Sequence, residues 1–163
     1  MSVAVTEREK GPRTASRQRL RLWLRILHSS RAIEGELRER LRVTYAITLP
    51  QFDVMAALYR RKSGGMTMTE LSRFLMVSNG NVTGIIDRLV TDGLVARKAN
   101  ADDRRAIMVE LTPVGIERFG EMASVHEGWI DDLLAEFTKA EAEELIGHLD
   151  GLADRIRKGG RYA

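Results

Sequence analysis

Residues 68–112 read MTELSRFLMVSNGNVTGIIDRLVTDGLVARKANADDRRAIMVELT, and the order of patterns inside this stretch decides the fold: two short helices, a strand, a charged loop and a second strand. Thr67, followed three residues later by Glu70, has the spacing of a capping box, in which each side chain satisfies a backbone N–H that the helix start leaves unpaired. Leu71, Phe74 and Leu75 are expected to form the buried face of the helix it opens. After the apolar turn Met76-Val77, Ser78 is placed to cap a second helix. Its inward positions are Val82, Ile85, Ile86, Leu89 and Val90, and Gly93 closes it. Leu94–Lys98 and Ala106–Leu111 then read as paired strands, with Ile107, Val109 and Leu111 alternating on one face. This is the order of a winged helix-turn-helix, and it predicts contact with duplex DNA.

The chemistry expected of such a protein falls on side chains for which a core has no use. Asn79, Asn81 and Thr83 stand at the front of the second helix, the end that enters the major groove in helix-turn-helix docking. There Asn can pair bidentately with adenine, and Thr can reach base edges or a thymine methyl. Ser, Asn and Gly would equally start a solvated helix that touches nothing. The loop between the strands, Ala99 to Arg105, favours the first reading. A hairpin does not need Arg104 and Arg105 in order to fold, but at its narrow tip they have the shape and charge to enter a minor groove. Asp103 beside them is placed to orient one guanidinium while the other faces nucleic acid.

Several spaced motifs in one order, Glu70-Leu71-Ser72, Val77-Ser78, Val82-Thr83, Asp87-Arg88-Leu89, Gly93-Leu94-Val95, Asp103-Arg104-Arg105 and Leu111-Thr112 with Gly115, resemble the MarR (multiple antibiotic resistance regulator) family of bacterial transcription factors. The resemblance implies a homodimer whose paired winged helices bind a near-palindromic operator, often released by a small aromatic or phenolic ligand. With it come expected DNA contacts at Ser78, Asn79, Asn81, Thr83, Arg88, Arg104 and Arg105. Two departures matter. Gly84 follows the Val-Thr pair where many members carry a basic residue, so one contact is missing and the helix is locally weakened. Asn100-Ala101 stands where the wing usually reads Asp-Pro, and a wing without proline is expected to be more mobile when DNA is absent.

Length and composition bound the reading. A chain of 163 residues is long enough for a domain with its own core. It holds no Cys, which excludes disulfides, thiolate zinc sites and cysteine redox sensing. No apolar run approaches a membrane span and no signal-peptide pattern opens the chain, so a cytoplasmic location is expected. The net charge of +3 is unevenly spread: residues 1–43 hold 11 Lys/Arg against 5 Asp/Glu, and residues 113–163 hold 6 against 11. A basic front and an acidic back would orient the molecule on a polyanion.

Outside residues 48–112, taken as the winged helix-turn-helix lobe, residues 1–16 read as a flexible basic arm, and residues 17–47 with 113–163 as a helical dimerisation region. The overall class is mostly α with a small β-hairpin wing. Leu20, Trp23, Leu24 and Leu27 stripe a long helix from Arg17 to about Leu41, and Pro50 begins another. Phe119, Met122, His126, Trp129 and Leu133 repeat in steps of three and four. So do Leu145, Leu149, Leu152 and Ile156, after a capping box formed by Thr138 and Glu141. Seams this long predict either a second, identical chain or a helical hairpin that buries both within one chain. An effector pocket is expected where the first helix meets the lobe, lined by Trp23, Leu27, His28, Arg31, Tyr45, Phe52 and Met55. Ordinary core with two polar surface residues accounts for the same set.

Catalysis is not indicated. His28, His126 and His148 are isolated, Glu141, Glu143 and Glu144 suit the positive end of a helix dipole, and Asp102-Asp103 lacks an enclosing pocket. No metal or cofactor is expected. Two other classes remain compatible with the residues: a helical interaction or scaffold protein that never reads DNA, and a nonspecific architectural DNA binder.

Overall fold

The computed structural model describes residues 11–61, 65–76, 78–99 and 107–159, without the side chains of 11–13 and 79. Its elements are α1 (Gly11–Tyr45), α2 (Leu49–Arg60), β1 (Met66–Thr67), α3 (Met68–Leu75), α4 (Asn79–Thr91), β2 (Val95–Ala99), β3 (Ile107–Leu111), α5 (Pro113–Leu133) and α6 (Lys139–Gly159). Two compact units divide the chain, Met1–Ala123 and Ser124–Ala163.

The first unit is built around α2. Thr48 and Gln51 close a capping box over its start: the Gln51 N–H donates to the Thr48 hydroxyl at 3.3 Å and the Thr48 N–H to Gln51 Oε1 at 2.8 Å, with Pro50 in the first turn. Beyond the cap, Phe52, Val54, Met55, Ala56, Ala57 and Leu58 are all buried. A helix apolar on so many sides needs neighbours all round, and α1, α3, α4 and β3 pack on it. The same core takes in Leu37 and Leu41 of α1, Leu71 of α3, Val82, Ile86 and Leu89 of α4, and Phe119 and Met122 of α5.

The sheet is antiparallel with strand order β1-β3-β2. Val95 pairs with Leu111 and Arg97 with Val109 across the wing, while Met66 pairs with Val109 on the other side. Strand β1 has no counterpart among the expected elements, because two residues carry no periodicity. Gly65 leads into it at φ +64°, where a Cβ would also run into the Val109 carbonyl.

Several expectations are corrected. Helix α1 begins at Gly11 rather than Arg17, so residues 11–16 are helix rather than arm, with Pro12 in the first turn where its missing N–H does no harm. The rest of the expected arm, residues 1–10, lies outside the described residues. Phe74, expected in the core, is 47% exposed, because a two-turn helix has a core face only wide enough for Leu71; the Arg60 guanidinium sits 5.7 Å from its ring. Val90 is likewise exposed at the margin of α4. Phe119 and Met122, expected on a dimer seam, are buried inside the first unit, where the Phe119 ring lies 5.4 Å from Phe52 and 4.9 Å from Tyr59. Rings packed within one chain leave no area for a second.

The second unit holds the last turns of α5 and all of α6. His126, Trp129 and Leu133 are half-buried, and burial lowers the pKa of His126, which meets the Trp129 ring edge-on at 6.5 Å. Thr138 and Glu141 form the expected capping box. Helix α6 has no buried residue; Leu145, Leu149, Leu152 and Ile156 are all exposed. No helix among the described residues is long and apolar enough to cross a membrane.

Candidate nucleic-acid interface

The reading head starts at Thr67, whose hydroxyl accepts from the Glu70 N–H at 3.1 Å while its own N–H donates to Glu70 Oε2 at 2.8 Å. These bonds from Thr67, backbone first, together with the Arg61 guanidinium, hold the Glu70 carboxyl below its ordinary pKa. Met76 ends α3 in the left-handed region at φ 53° and sends the chain back towards α4. Ser78 caps α4, its hydroxyl accepting from the Asn81 N–H at 3.4 Å. This cap holds the front of α4 in helical geometry.

Inside α4 the fold uses Val82, Ile86 and Leu89, each fully buried. Gly80, Asn81, Thr83, Gly84, Asp87, Arg88 and Thr91 are left exposed. At about 100° per residue, Asn81 and Arg88, seven apart, share one edge of this outer face, and Thr83 and Asp87, four apart, share the other. Gly80 and Gly84 lie between, and a Cβ at either would meet nothing within 4 Å. Packing inside the protein therefore does not ask for glycine there, although each weakens the helix.

Two ion pairs sit on this helix. Arg88 donates to Asp92 Oδ2 at 3.2 Å, one turn along. Arg97 Nη2 donates to Asp87 Oδ1 at 2.6 Å and braces α4 against the root of the wing. Lys98 and Glu110 tie the two wing strands together. Sequence reasoning misses the Asp87–Arg97 brace; the signal for it is the opposite charges at the end of α4 and in β2, which only the hairpin brings together.

A junction behind the reading head accounts for Gly93-Leu94, Leu111-Thr112 and Gly115. The Thr112 hydroxyl donates to the Gly93 carbonyl at 2.7 Å and accepts from the Gly115 N–H at 2.9 Å, while the Thr112 N–H donates to the Leu94 carbonyl at 3.0 Å. A Cβ on Gly115 would run into that carbonyl. One threonine thus caps α5 and fastens it to the end of α4.

Other expected site residues are not brought together. Asp103, Arg104 and Arg105, and the side chain of Asn79, lie outside what is described. The expected effector pocket does not form from its residues. Trp23 and Tyr45 ride on one helix 22 residues apart, about 33 Å at 1.5 Å per residue. Trp23, His28 and Arg31 are exposed, Leu27 is half-buried, and Phe52 and Met55 belong to the core around α2. Tyr45 instead faces the Arg118 guanidinium at 5.4 Å. A single straight helix cannot fold both its ends around one ligand. Among the described residues, no three His, Asp or Glu side chains gather in a way that could hold a metal ion.

A capped reading helix with a polar outer face, a short helix before it and a braced two-stranded wing after it define a winged helix-turn-helix protein. Residues 47–107 match the MarR family. The multiple antibiotic resistance protein MarR of Salmonella typhimurium is 33% identical over 110 residues, which cover 68% of this chain and 73% of that one. A MarR family transcriptional regulator from Silicibacter pomeroyi has the same fold with a TM-score of 0.74 at 31% identity, over 90% of this chain and 99% of the other. A mutant MarR from E. coli, solved in complex with operator DNA, is similar with a TM-score of 0.69 at 28% identity, over 83% and 95%. The chain belongs to the MarR family: it is a DNA-binding transcriptional regulator and not an enzyme.

Proposed function

We propose that the chain acts as a homodimeric repressor that reads a near-palindromic operator with the outer face of α4, assisted by the wing arginines Arg104 and Arg105. The observation that carries this reading is the division of labour on α4: three buried residues satisfy the fold, and the face left over is polar, smooth and free of large side chains near its start. Asn81 stands beside Gly80 and Gly84, where a base edge could come close to the backbone. Ser78 holds the helix start, Asn79 and Thr83 flank it, and Arg88 lies two turns further along for a phosphate.

The homodimer is supported by α6, whose apolar stripe stays about half exposed within its own unit. Repression is the outcome where the operator overlaps a promoter, because a seated dimer then blocks access to it. A small aromatic or phenolic effector enters this reading through the family resemblance alone, and no residues are assigned to it.

The test is Asn81→Ala, measured on an operator selected by the wild-type protein from a random duplex pool and on random duplex. Loss of a base-edge contact should weaken operator binding by about 1–3 kcal/mol and leave random-duplex binding unchanged. Equal losses on both duplexes would take Asn81 out of the specificity set.

A further inference from the structure

From Lys10 to Ile33 the chain holds seven Lys/Arg and no Asp or Glu. Helix α1 turns part of this run into a stripe. Arg17, Arg21 and Arg25, each four residues from the next, stand one above another at about 6 Å per step. All three are exposed, and none joins an ion pair among the described residues; Arg21 only donates to Gln18 Oε1 at 3.3 Å. Further along the same helix the arginines do find acids: Arg40 pairs with Glu36 at 2.7 Å and Arg42 with Glu39 at 2.6 Å. Leu20, Trp23 and Leu27 lie on the adjoining face of the helix, and Leu24 borders Arg17 at its edge.

Among the described residues nothing offsets these three charges, and like charges four residues apart repel along a helix. A stripe that works against its own helix has its use in an anion outside the chain. We propose that Arg17, Arg21 and Arg25 form a second DNA-contacting surface, which grips phosphates of the duplex flanking the stretch read by α4.

The stripe belongs to the same compact unit as α4. Along α1, Arg25 lies about 18 Å and Arg17 about 30 Å from Leu37, which is buried in that unit's core. Contacts made only to phosphate add affinity without sequence preference, and they release counterions. The proposal rests on the chain binding DNA, but not on which residues of α4 read the bases.

The experiment compares the full-length wild type with the triple variant Arg17→Gln, Arg21→Gln, Arg25→Gln, which keeps the helix-forming stems. Each is titrated with salt on two duplexes: a short one holding only the selected operator, and the same operator with random flanks on both sides. On the flanked duplex the variant should bind roughly tenfold or more weakly near 0.1 M salt, and its slope of log K against log salt should be shallower by about 2–3. On the short duplex the two proteins should match. Equal slopes on the flanked duplex, with helicity intact, overturn the proposal. Loss of binding to anionic phosphatidylserine vesicles with unchanged DNA slopes reassigns the stripe to a membrane surface and also overturns it. A variant that sediments differently from wild type assigns the stripe to a protein contact and overturns it as well. If wild type does not distinguish operator from random duplex while the slope difference persists, the specific-reader proposal fails and this one stands.

Discussion

Asp53 is where the fold works against itself. It sits half-buried on α2, and its carboxyl is pushed above its ordinary pKa by burial first and by the neighbouring charge of Glu34 second, with Arg60 opposing. A carboxyl with a raised folded pKa destabilises the native state wherever it is ionised. The penalty is complete above the folded pKa and absent below the unfolded value of 3.8. Asp53→Asn keeps the shape and removes the charge, so its Tm should exceed that of wild type at pH 7, and the gain should shrink as the pH falls towards 4. Glu70 has the opposite sign: with its pKa held down by Thr67, its contribution is present above 4.5 and is lost as the pH falls through the lower folded value. Thermal melts of wild type and variant across this range separate the two effects. A variant less stable than wild type at neutral pH would mean that the Asp53 carboxylate makes a favourable interaction outweighing its burial.

Elements meet at Gly115, where the first turn of α5 lies against the Leu94 carbonyl and Thr112 bonds to Gly93. Gly115→Ala must move backbone, not a flexible side-chain end, and should destabilise by about 2–4 kcal/mol. Gly120→Ala, one turn and a half further along the same helix with nothing within 4 Å of the new Cβ, should instead stabilise by about 0.4–1 kcal/mol. Urea denaturation of both variants checks the pair; similar midpoints would remove close approach as the reason for Gly115. The same contrast shows what can be read from the residues alone. Thr67 with Glu70, Thr138 with Glu141 and the alternation of Ile107, Val109 and Leu111 are local patterns, and each marks its element. Strand β1 is too short to have a pattern, and the box of Thr48 with Gln51 hides behind Pro50, which marks the same helix start. The extent of α1 is underestimated from sequence because its first turns are polar and carry no apolar period. Assigning two ends of one helix to a single pocket mistakes sequence spacing for proximity; the Asp87–Arg97 brace escapes notice for the converse reason.

At the scale of the whole molecule, α6 is the feature that one chain does not account for. Its 21 residues include none that is buried, yet Leu145, Leu149, Leu152 and Ile156 repeat at the spacing of a packed helix. The homodimer proposed above would cover this stripe, and a stable interface needs about 800 Å² from each partner. The function sets the same requirement. One α4 covers too little of a duplex for tight binding, and two must stand about 34–36 Å apart to meet successive major grooves. Leu149→Glu with Leu152→Glu places two charges in the middle of the stripe while leaving the core around α2 untouched. The double variant should sediment as a monomer, retain most of its helical signal, and bind its operator at least about 100-fold more weakly, because the second half-site no longer adds to the first. Moving the half-sites apart by about five base pairs, half a helical turn, should weaken the wild type comparably and leave the variant unaffected, since a monomer has no spacing to satisfy. A double variant that stays dimeric and still responds to spacing would mean that α6 faces solvent in the assembly and that the two-fold contact is made by other surfaces, with the exposed Leu20, Trp23 and Leu24 of α1 the next to test.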